Sequence, residues 1–384
     1  MRVYAVSAGM VPVGKHPELD IDELMVRSSI EALDKVQELR PDRIIVGNMF
    51  SGVSSHQEHL GALLASSLGY SGIPAYKVEA SCGSGGVSIH NAYIAIKSGE
   101  SDAVLVTGVE KMTDLSIPQV TSALVMADSN RYTASVGATF ISLNAITHRL
   151  YTKRYGVERE DMASFPVISH RNAIHSPHAM FHKEIKKEDV ISSPIVSDPI
   201  RLLDSSPVCD GAASIMLVSE NRLSKLPTQP VEIIASEVAV NLFSIYERED
   251  PLIYDATRVA FRKAMQKSDL DIDKIDFIEL HDAFSVTAAL SLESMGVSEK
   301  GRAPADASNG RFELHGEMPI NTFGGLKARG HPVGATGVYQ AAEAYLQLTD
   351  AAGKNQVNDA RIGVIHNMGG VDTTTAVHIM RRVN

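Results

Sequence analysis

The sequence is low in cysteine, has no tryptophan and carries more acid than base. Its 384 residues include two cysteines, and 36 lysines and arginines stand against 46 aspartates and glutamates, a formal net charge of −10. Two thiols exclude a disulfide framework and a cysteine-based zinc site. The acidic balance argues against a nucleic-acid binder, which would need a basic face. Because two cysteines are too few for a scaffold, we expect at least one of them to take part in catalysis.

Long apolar runs and targeting signals are missing too. No stretch approaches the roughly 18 apolar residues of a membrane span. The N-terminus is typical of a strand, Arg2–Val6, that continues to Gly9, rather than of a signal peptide. We therefore expect a cytoplasmic protein that binds neither membrane nor nucleic acid. A prior of about 100–200 residues per domain predicts two or three packed units.

The order of elements predicts an α/β protein. Short Val/Ile-rich strands such as Arg43–Gly47 alternate with longer helical patterns, which favours mostly parallel sheets. We expect a first unit over residues 1–113, with strands returning to it at about 206–240. Over residues 114–205 the alternation of strands and helices changes, which predicts an inserted loop domain. Residues 241–384 are expected to form the last unit.

The last third repeats the element order of the first third. Ile44–Val46 corresponds to Phe277–Leu280, and the glycine turn at Cys82–Gly86 corresponds to the one at Gly330–Gly337, since each opens a long Ala-rich helix. Two similar halves that meet face to face would bring these turns together. The repeat therefore predicts an active site at their junction.

Cys82 is the stronger candidate of the two cysteines. It lies in a glycine-rich turn between a strand and a helix, where the helix dipole favours a thiolate. Taken alone, the position fits a nucleophile and a packed small residue equally. Cys209 precedes a strand and is expected to be structural.

Three histidines lie beside glycine-rich turns or at strand ends. His331 is held between Gly330 and Pro332 at the mouth of a helix, which suits a general base. His281 and His366 each follow a strand at its carboxyl end, where α/β sheets present their sites. A further histidine cluster predicts a solvated loop surface rather than a metal site: His170, His175, His178 and His182.

Four segments together resemble the thiolase superfamily in order and spacing over nearly the whole chain. They are the run around Cys82, Gly330–Gly337, His281–Phe284 and Ser206–Ala213. His-Asp-Ala-Phe at 281–284 is similar to the archaeal and sterol-carrier-type branch. The resemblance implies two similar half-domains in a five-layer αβαβα core, an inserted loop domain, and a homodimer or homotetramer.

The resemblance also implies the chemistry. It points to an acyl-CoA C-acyltransferase that condenses two acetyl-CoA to acetoacetyl-CoA and CoA, or runs the reverse thiolysis. Its substrates would be coenzyme A thioesters, with no tightly bound cofactor and no metal. When the family's site residues are matched to this sequence, the nucleophile corresponds to Cys82 and its base to His331. The group that positions a water for the oxyanion corresponds to His281. The oxyanion-hole backbone would come from Cys82, Met368 and Gly369.

The sequence departs from the family pattern at the second catalytic cysteine. His366 stands where many thiolases have Cys-x-Gly, and Ala283 stands where sterol-carrier-type members have cysteine. We therefore expect His366, and less favourably His281, to move the α-proton of the second substrate. An imidazole with a near-neutral pKa suits that role.

The branch further implies partners and leaves two alternative functions. The expected partners are 3-hydroxy-3-methylglutaryl-CoA synthase and a small zinc-containing OB-fold protein, early in the mevalonate pathway. One alternative is a decarboxylating ketoacyl synthase with a similar Cys/His/His set. The other is a non-thiolytic acyl-CoA-binding or retro-aldolase-like member of an assembly. The Gly-His-Pro string disfavours the first, and retention of Cys82 disfavours the second.

Overall fold

The structure, a computed structural model, describes residues 1–37 and 39–383, and its strands and helices alternate along the chain. The strands are β1 (Val3–Met10), β2 (Arg43–Gly47), β3 (Ala75–Val78), β4 (Ala103–Glu110), β5 (Ile195–Ser197), β6 (Ile200–Arg201), β7 (Gly211–Ser219), β8 (Val231–Val240), β9 (Phe277–Glu279), β10 (Ile362–Gly369) and β11 (Thr374–Arg382). The α-helices are α1 (Ile21–Asp34), α2 (Ser51–Ser54), α3 (Leu60–Ser67), α4 (Ser84–Lys97), α5 (Ile117–Leu124), α6 (Phe140–Tyr155), α7 (Arg159–Met162), α8 (Ser164–Ala173), α9 (Lys187–Ser192), α10 (Asp255–Ser268), α11 (Ser285–Ser294), α12 (Ala303–Ser308) and α13 (Thr336–Leu348).

A nine-stranded sheet runs through both halves of the chain in the order β3-β2-β4-β7-β1-β8-β11-β10-β9. The halves join where β1 pairs with β8 through Tyr4–Glu232 and Ala5–Val231. The expectation of mostly parallel strands is wrong, because only β2–β3, β2–β4 and β9–β10 are parallel pairs within this sheet. The link from β10 to β11 is too short for a parallel crossover, so that pair must be antiparallel.

The predicted repeat is confirmed by the pairing pattern. In the N-terminal half, β2 is parallel to β4, and β4, β7 and β1 follow in antiparallel pairs. In the C-terminal half, β9 is parallel to β10, and β10, β11 and β8 follow in the same way. The fifth N-terminal strand, β3, corresponds to a single parallel bridge between Ile278 and Ile320.

The helices form three layers around the two halves of the sheet. Helices α4 and α13 pack against each other in the middle, and one apolar cluster joins Ile89 and Ile96 to Val338 and Tyr339. Helix α13 buries twelve of its 13 residues, as expected for a helix enclosed on all sides. Helices α1 and α3 cover the outer face of one half, and α10 and α11 cover the other. This is the predicted five-layer αβαβα arrangement.

The segment between β4 and β7 contains α5 to α9 and the small β5–β6 pair. The sequence predicts one helix over Glu160–Ile174, but the structure has two, α7 and α8. Pro166 lies in the first turn of α8, where its missing N–H costs no intrahelical hydrogen bond, so the second helix begins there. Among the described residues, no helix is long and apolar enough to cross a membrane.

Candidate active site

Cys82 lies in a tight turn between β3 and α4. Ser81 has a φ of 51°, a left-handed conformation that is costly for a residue with a Cβ. Ser84 stabilises this turn, because its Oγ donates to Ser81 O at 2.6 Å and accepts from Ala80 N at 2.9 Å. The strained turn is thereby fixed, and Cys82 lies just before α4 with 3% of its surface exposed.

The Cys82 thiol is protonated in the resting site. Burial raises its pKa from the ordinary value of 9.0 to about 12, and the Glu110 carboxylate adds to the increase. The backbone N–H groups of Cys82 itself and of Gly370 face the sulfur and favour the thiolate. The backbone donors thus act in the direction expected for a helix N-terminus, but the loss of solvent outweighs them and keeps the pKa of the thiol raised.

His331 occupies the corresponding turn of the C-terminal half, before α13. Gly330 has a φ of 114°, and a Cβ there would lie 2.5 Å from Val13 Cγ1, so the position requires glycine. The His331 backbone N–H donates to Cys209 Sγ at 3.1 Å. The ring Nδ1 lies 2.6 Å from Thr336 Oγ1, and the described residues offer Nε2 no hydrogen-bond partner. One ring nitrogen is therefore left for chemistry.

A buried ion pair supports the His331 turn from behind. Arg329 Nε donates to Glu343 Oε1 at 3.0 Å, and His178 Nε2 lies 2.8 Å from the same oxygen. Burial, and after it the Arg329 guanidinium, lowers the pKa of His331 to about 3, so its ring is neutral. His170 and His178 are both buried. The expectation of a solvated histidine surface is therefore wrong for these two residues.

Glu110, which the sequence reasoning missed, connects the two halves at the site. Its Oε1 accepts from Asn48 Nδ2 at 2.9 Å, and its Oε2 accepts from Met49 N at 2.9 Å and Gly334 N at 3.0 Å. Burial raises its pKa to about 7, against the effect of these donors. A carboxyl at the end of strand β4, whose other residues are all uncharged, is the signal that could have revealed it.

His281 follows β9 and packs edge-on against His331, with ring centroids 5.1 Å apart. Its Nδ1 lies 3.3 Å from both Met368 N and Asn367 Nδ2. Burial, followed by repulsion from His331, lowers the pKa of His281 well below its ordinary value. Asn367, a second missed residue, also donates to Cys82 O at 3.1 Å. The structure therefore brings Cys82, His331 and His281 together.

His366 lies inside β10, not after a strand as expected. Its Nε2 lies 2.9 Å from Thr257 Oγ1, and its Nδ1 accepts the His281 backbone N–H at 3.3 Å. The ring is fully buried, and burial lowers its pKa to about 3. A proton shuttle needs a nitrogen that reaches the substrate. These contacts therefore argue against His366 as the group that moves the α-proton.

The backbone donor near the thiol is shifted from the predicted positions. Met368 N–H is directed at His281 Nδ1, whereas Gly370 N–H faces the Cys82 sulfur. Gly369 provides space instead, because a Cβ on it would lie 2.1 Å from Ala80 O. We therefore expect the Gly370 N–H, rather than the backbone of Met368 and Gly369, to act together with the Cys82 N–H.

An apolar cavity of about 120 Å³ ends at Cys82 and His331. Its walls include large apolar side chains from α5, from α6 and from the start of α11: Ile117, Val120, Leu124, Phe140 and Phe284. Neither His281 nor His366 is among the described residues that line it. A thiol and a neutral imidazole at the end of such a cavity can accept an acyl group from a bound thioester.

Known proteins match both halves of the chain. The family of the thiolase N-terminal domain matches residues 3–221, and the thiolase C-terminal domain-like family matches residues 238–382. An acetyl-CoA acetyltransferase of Methanothermobacter thermautotrophicus is 38% identical over 99% of both chains. Human sterol carrier protein 2 is 32% identical over 96% of this chain and 70% of its own.

Solved structures share the fold. The Ltp2-ChsH2(DUF35) aldolase superposes with a TM-score of 0.87 at 20% identity, over 99% of this chain and 98% of that chain. Human mitochondrial 3-ketoacyl-CoA thiolase superposes with a TM-score of 0.76 at 17% identity, over 100% and 99%. The chain therefore belongs to the thiolase family, enzymes that transfer acyl groups of coenzyme A thioesters.

Proposed function

We propose that this enzyme condenses two acetyl-CoA to acetoacetyl-CoA and CoA, and catalyses the reverse thiolysis, through an acyl group on Cys82. The observation that carries the proposal is the meeting of Cys82 and His331 at the end of one apolar cavity, with the Gly370 N–H beside the sulfur. The acetyl-CoA acetyltransferase of Methanothermobacter thermautotrophicus supports acetyl-CoA as the substrate.

In the first half-reaction, the sulfur of Cys82 attacks the thioester carbon while His331 Nε2 takes the thiol proton. The carbonyl oxygen becomes an oxyanion, which the backbone N–H groups of Cys82 and Gly370 stabilise. The bond to the coenzyme A sulfur then breaks, and the imidazolium returns its proton to the leaving thiolate. The products are acetyl-Cys82 and free CoA, and His331 is neutral again.

In the second half-reaction, we assign the α-proton of the second acetyl-CoA to His331. Its Nε2 has no hydrogen-bond partner among the residues that the structure describes, whereas both nitrogens of His366 are engaged. The resulting enolate attacks the acyl carbon, which forms the carbon–carbon bond and releases the Cys82 thiolate. The thiolate recovers the proton from His331. His281 would assist by positioning a water on the developing oxyanion. One base thus replaces a second cysteine.

The wider setting is part of the proposal. An early step of the mevalonate pathway and a homodimer or homotetramer are implied by the resemblance to thiolases of the archaeal branch, and a cytoplasmic location stays a prediction from the sequence. The same resemblance implies 3-hydroxy-3-methylglutaryl-CoA synthase and a small zinc-containing OB-fold protein as partners. A partner of the DUF35 type is named for the aldolase that shares the fold. A next enzyme that consumes acetoacetyl-CoA would draw the unfavourable condensation forward.

The test is an assay of acetoacetyl-CoA thiolysis and of exchange between acetyl-CoA and labelled CoA, with acyl chains of increasing length. We expect both reactions without any partner protein. Turnover that requires malonyl thioester, with no exchange, would instead identify a decarboxylating ketoacyl synthase. Cleavage of β-hydroxyacyl-CoA without thiolysis would identify a retro-aldolase.

A further inference from the structure

The side-chain amide of Asn367 has one possible orientation. Its Oδ1 accepts the Gly86 backbone N–H at 2.9 Å, and its Nδ2 donates to Cys82 O at 3.1 Å. A backbone N–H can only donate and a carbonyl can only accept, so the two contacts fix which end is nitrogen. Gly337 leaves room for this amide, since a Cβ there would lie 2.5 Å from Oδ1.

This orientation determines where His281 holds its proton. The second Nδ2 hydrogen of Asn367 and the Met368 backbone N–H both face His281 Nδ1, each across 3.3 Å. Two donors can share a lone pair but would repel an N–H. A neutral His281 must therefore hold its proton on Nε2, which has no hydrogen-bond partner among the described residues.

The opposite arrangement holds at His331. The Thr336 hydroxyl has a single proton, and its oxygen lies 3.1 Å from Pro332 O, which can only accept. When that proton is donated to Pro332 O, the Thr336 oxygen accepts the His331 Nδ1–H across 2.6 Å. The reverse would leave two oxygens facing each other without a proton between them. His331 is therefore protonated on Nδ1 and presents a lone pair on Nε2.

His366 completes the arrangement as a support for the His281 backbone. Thr257 Oγ1 donates to Asp372 Oδ1 at 2.7 Å, so it can only accept from His366 Nε2–H at 2.9 Å. The remaining lone pair, on His366 Nδ1, accepts the His281 backbone N–H at 3.3 Å. This series of hydrogen bonds fixes the backbone of His281, whereas Asn367 determines the orientation of its ring.

We infer that Asn367 and Thr336 are positioning residues that hold His281 and His331 in opposite tautomers. His281 then offers an N–H to a water or an oxyanion, and His331 offers a lone pair to the thiol. The division into one donor and one base rests on the proposed function, but the tautomers themselves exist in the resting protein and can be measured without turnover.

The primary test is long-range 1H–15N correlation NMR of the full chain labelled with 15N-histidine at pH 7, with His281→Ala and His331→Ala for assignment. We expect the proton of His281 on Nε2 and that of His331 on Nδ1. The same tautomer on both rings, or the reversed pair, overturns the inference. If the tautomers are as expected and Cys82 is never acylated, the proposed function fails while the positioning roles stand.

Asn367→Asp tests the cause. A carboxylate can still accept from Gly86 N but can no longer donate to His281, so we expect the Nδ1 of His281 to become protonated. Loss of one oriented donor is expected to lower kcat on the order of 10²–10³-fold with little change in KM. An unprotonated Nδ1 together with wild-type kcat contradicts the role.

The matched control is Asn355→Asp, since Asn355 is also buried and its Nδ2 donates to the carbonyl oxygens of Asn172 and Thr322. We expect it to lower stability and leave the His281 tautomer unchanged. Thr336→Val and Thr336→Ser form a second pair, which decides the matter if Asn367→Asp does not fold. Thr336→Val should slow acylation and no longer hold the His331 proton on Nδ1. Thr336→Ser should restore both the acylation rate and the tautomer.

Discussion

The two halves of the molecule place different side chains, a thiol and an imidazole, at the turn of the same strand–turn–helix element. In the N-terminal half, β3 pairs with β2 over four residues and ends in the turn of Cys82. In the C-terminal half, the equivalent of β3 is the single bridge at Ile320, and the following ten residues lead to His331 through a five-residue π-helix, Gly325–Arg329. This segment, which is not part of the sheet, contains the buried Arg329 that lies behind His331.

Burial acts on the two groups in opposite directions. It raises the pKa of the Cys82 thiol to about 12 and lowers the pKa of His331 to about 3, so both are neutral at rest. The pair therefore differs from a preformed thiolate–imidazolium pair. In the proposed mechanism, the proton moves only when a bound thioester provides an oxyanion for the donors to stabilise, and each half of the fold supplies one of the two groups that exchange it.

Cys82→Ser is expected to have the largest effect, because it removes the reactive atom of the N-terminal turn. We expect turnover to fall on the order of 10⁶-fold, as for other enzyme nucleophiles. Cys209→Ser is the control, since a serine oxygen can still accept the His331 backbone N–H. Thiolysis assays that show comparable losses in both variants would remove the distinction between the two cysteines.

His331→Gln removes the imidazole from the C-terminal turn. We expect a loss of about 10²–10⁴-fold in both acylation and condensation, because one base serves both proton transfers. Rapid-quench measurement of each half-reaction checks this. Loss of acylation with normal condensation would show that another group moves the α-proton.

His281→Ala and His366→Ala separate the group that faces the oxyanion from the one that supports it. For His281→Ala we expect a loss on the order of 10²-fold in kcat. For His366→Ala we expect a smaller loss in kcat and a lower free energy of unfolding, because its contacts are with Thr257 and the His281 backbone. A larger kcat loss in His366→Ala would restore it as the proton shuttle.

How much of this site was predictable depends on how local each contact is. Cys82 and His331 are recognisable because their glycine-rich turns are short and contiguous in the sequence. Asn367 and Glu110 are not, since their contacts with Cys82 and Gly334 span 285 and 224 residues. The same limit explains why the raised pKa of the Cys82 thiol was not predicted. The helix N-terminus beside Cys82 is visible in the sequence, but the residues that bury the thiol come from the other half and from α5 and α6.

The pH dependence of Cys82 alkylation tests the neutral pair. Because the pKa of the thiol is raised to about 12 and that of His331 is lowered, the thiolate fraction should rise steadily with pH above neutrality. Iodoacetamide labelling of Cys82, followed by mass spectrometry, should therefore accelerate from pH 6 through pH 9 without a plateau. A fast, pH-independent rate near neutrality would indicate a resting ion pair.

Glu110→Gln is expected to have the smallest of these effects. The Glu110 charge raises the pKa of Cys82, so a neutral amide should lower that pKa and speed alkylation several-fold at pH 8. The control is Glu79→Gln, whose charge acts in the same direction but contributes less. Alkylation that is slower in Glu110→Gln at full stability would contradict this assignment.

The most direct test of the central claim is peptide mapping of the protein after brief incubation with acetyl-CoA and acid quenching. We predict one acetyl group per chain, located on Cys82 and absent in Cys82→Ser, and its removal when CoA is added. An unmodified Cys82 under conditions in which thiolysis proceeds, or acetylation of Cys209 instead, would contradict the proposed mechanism.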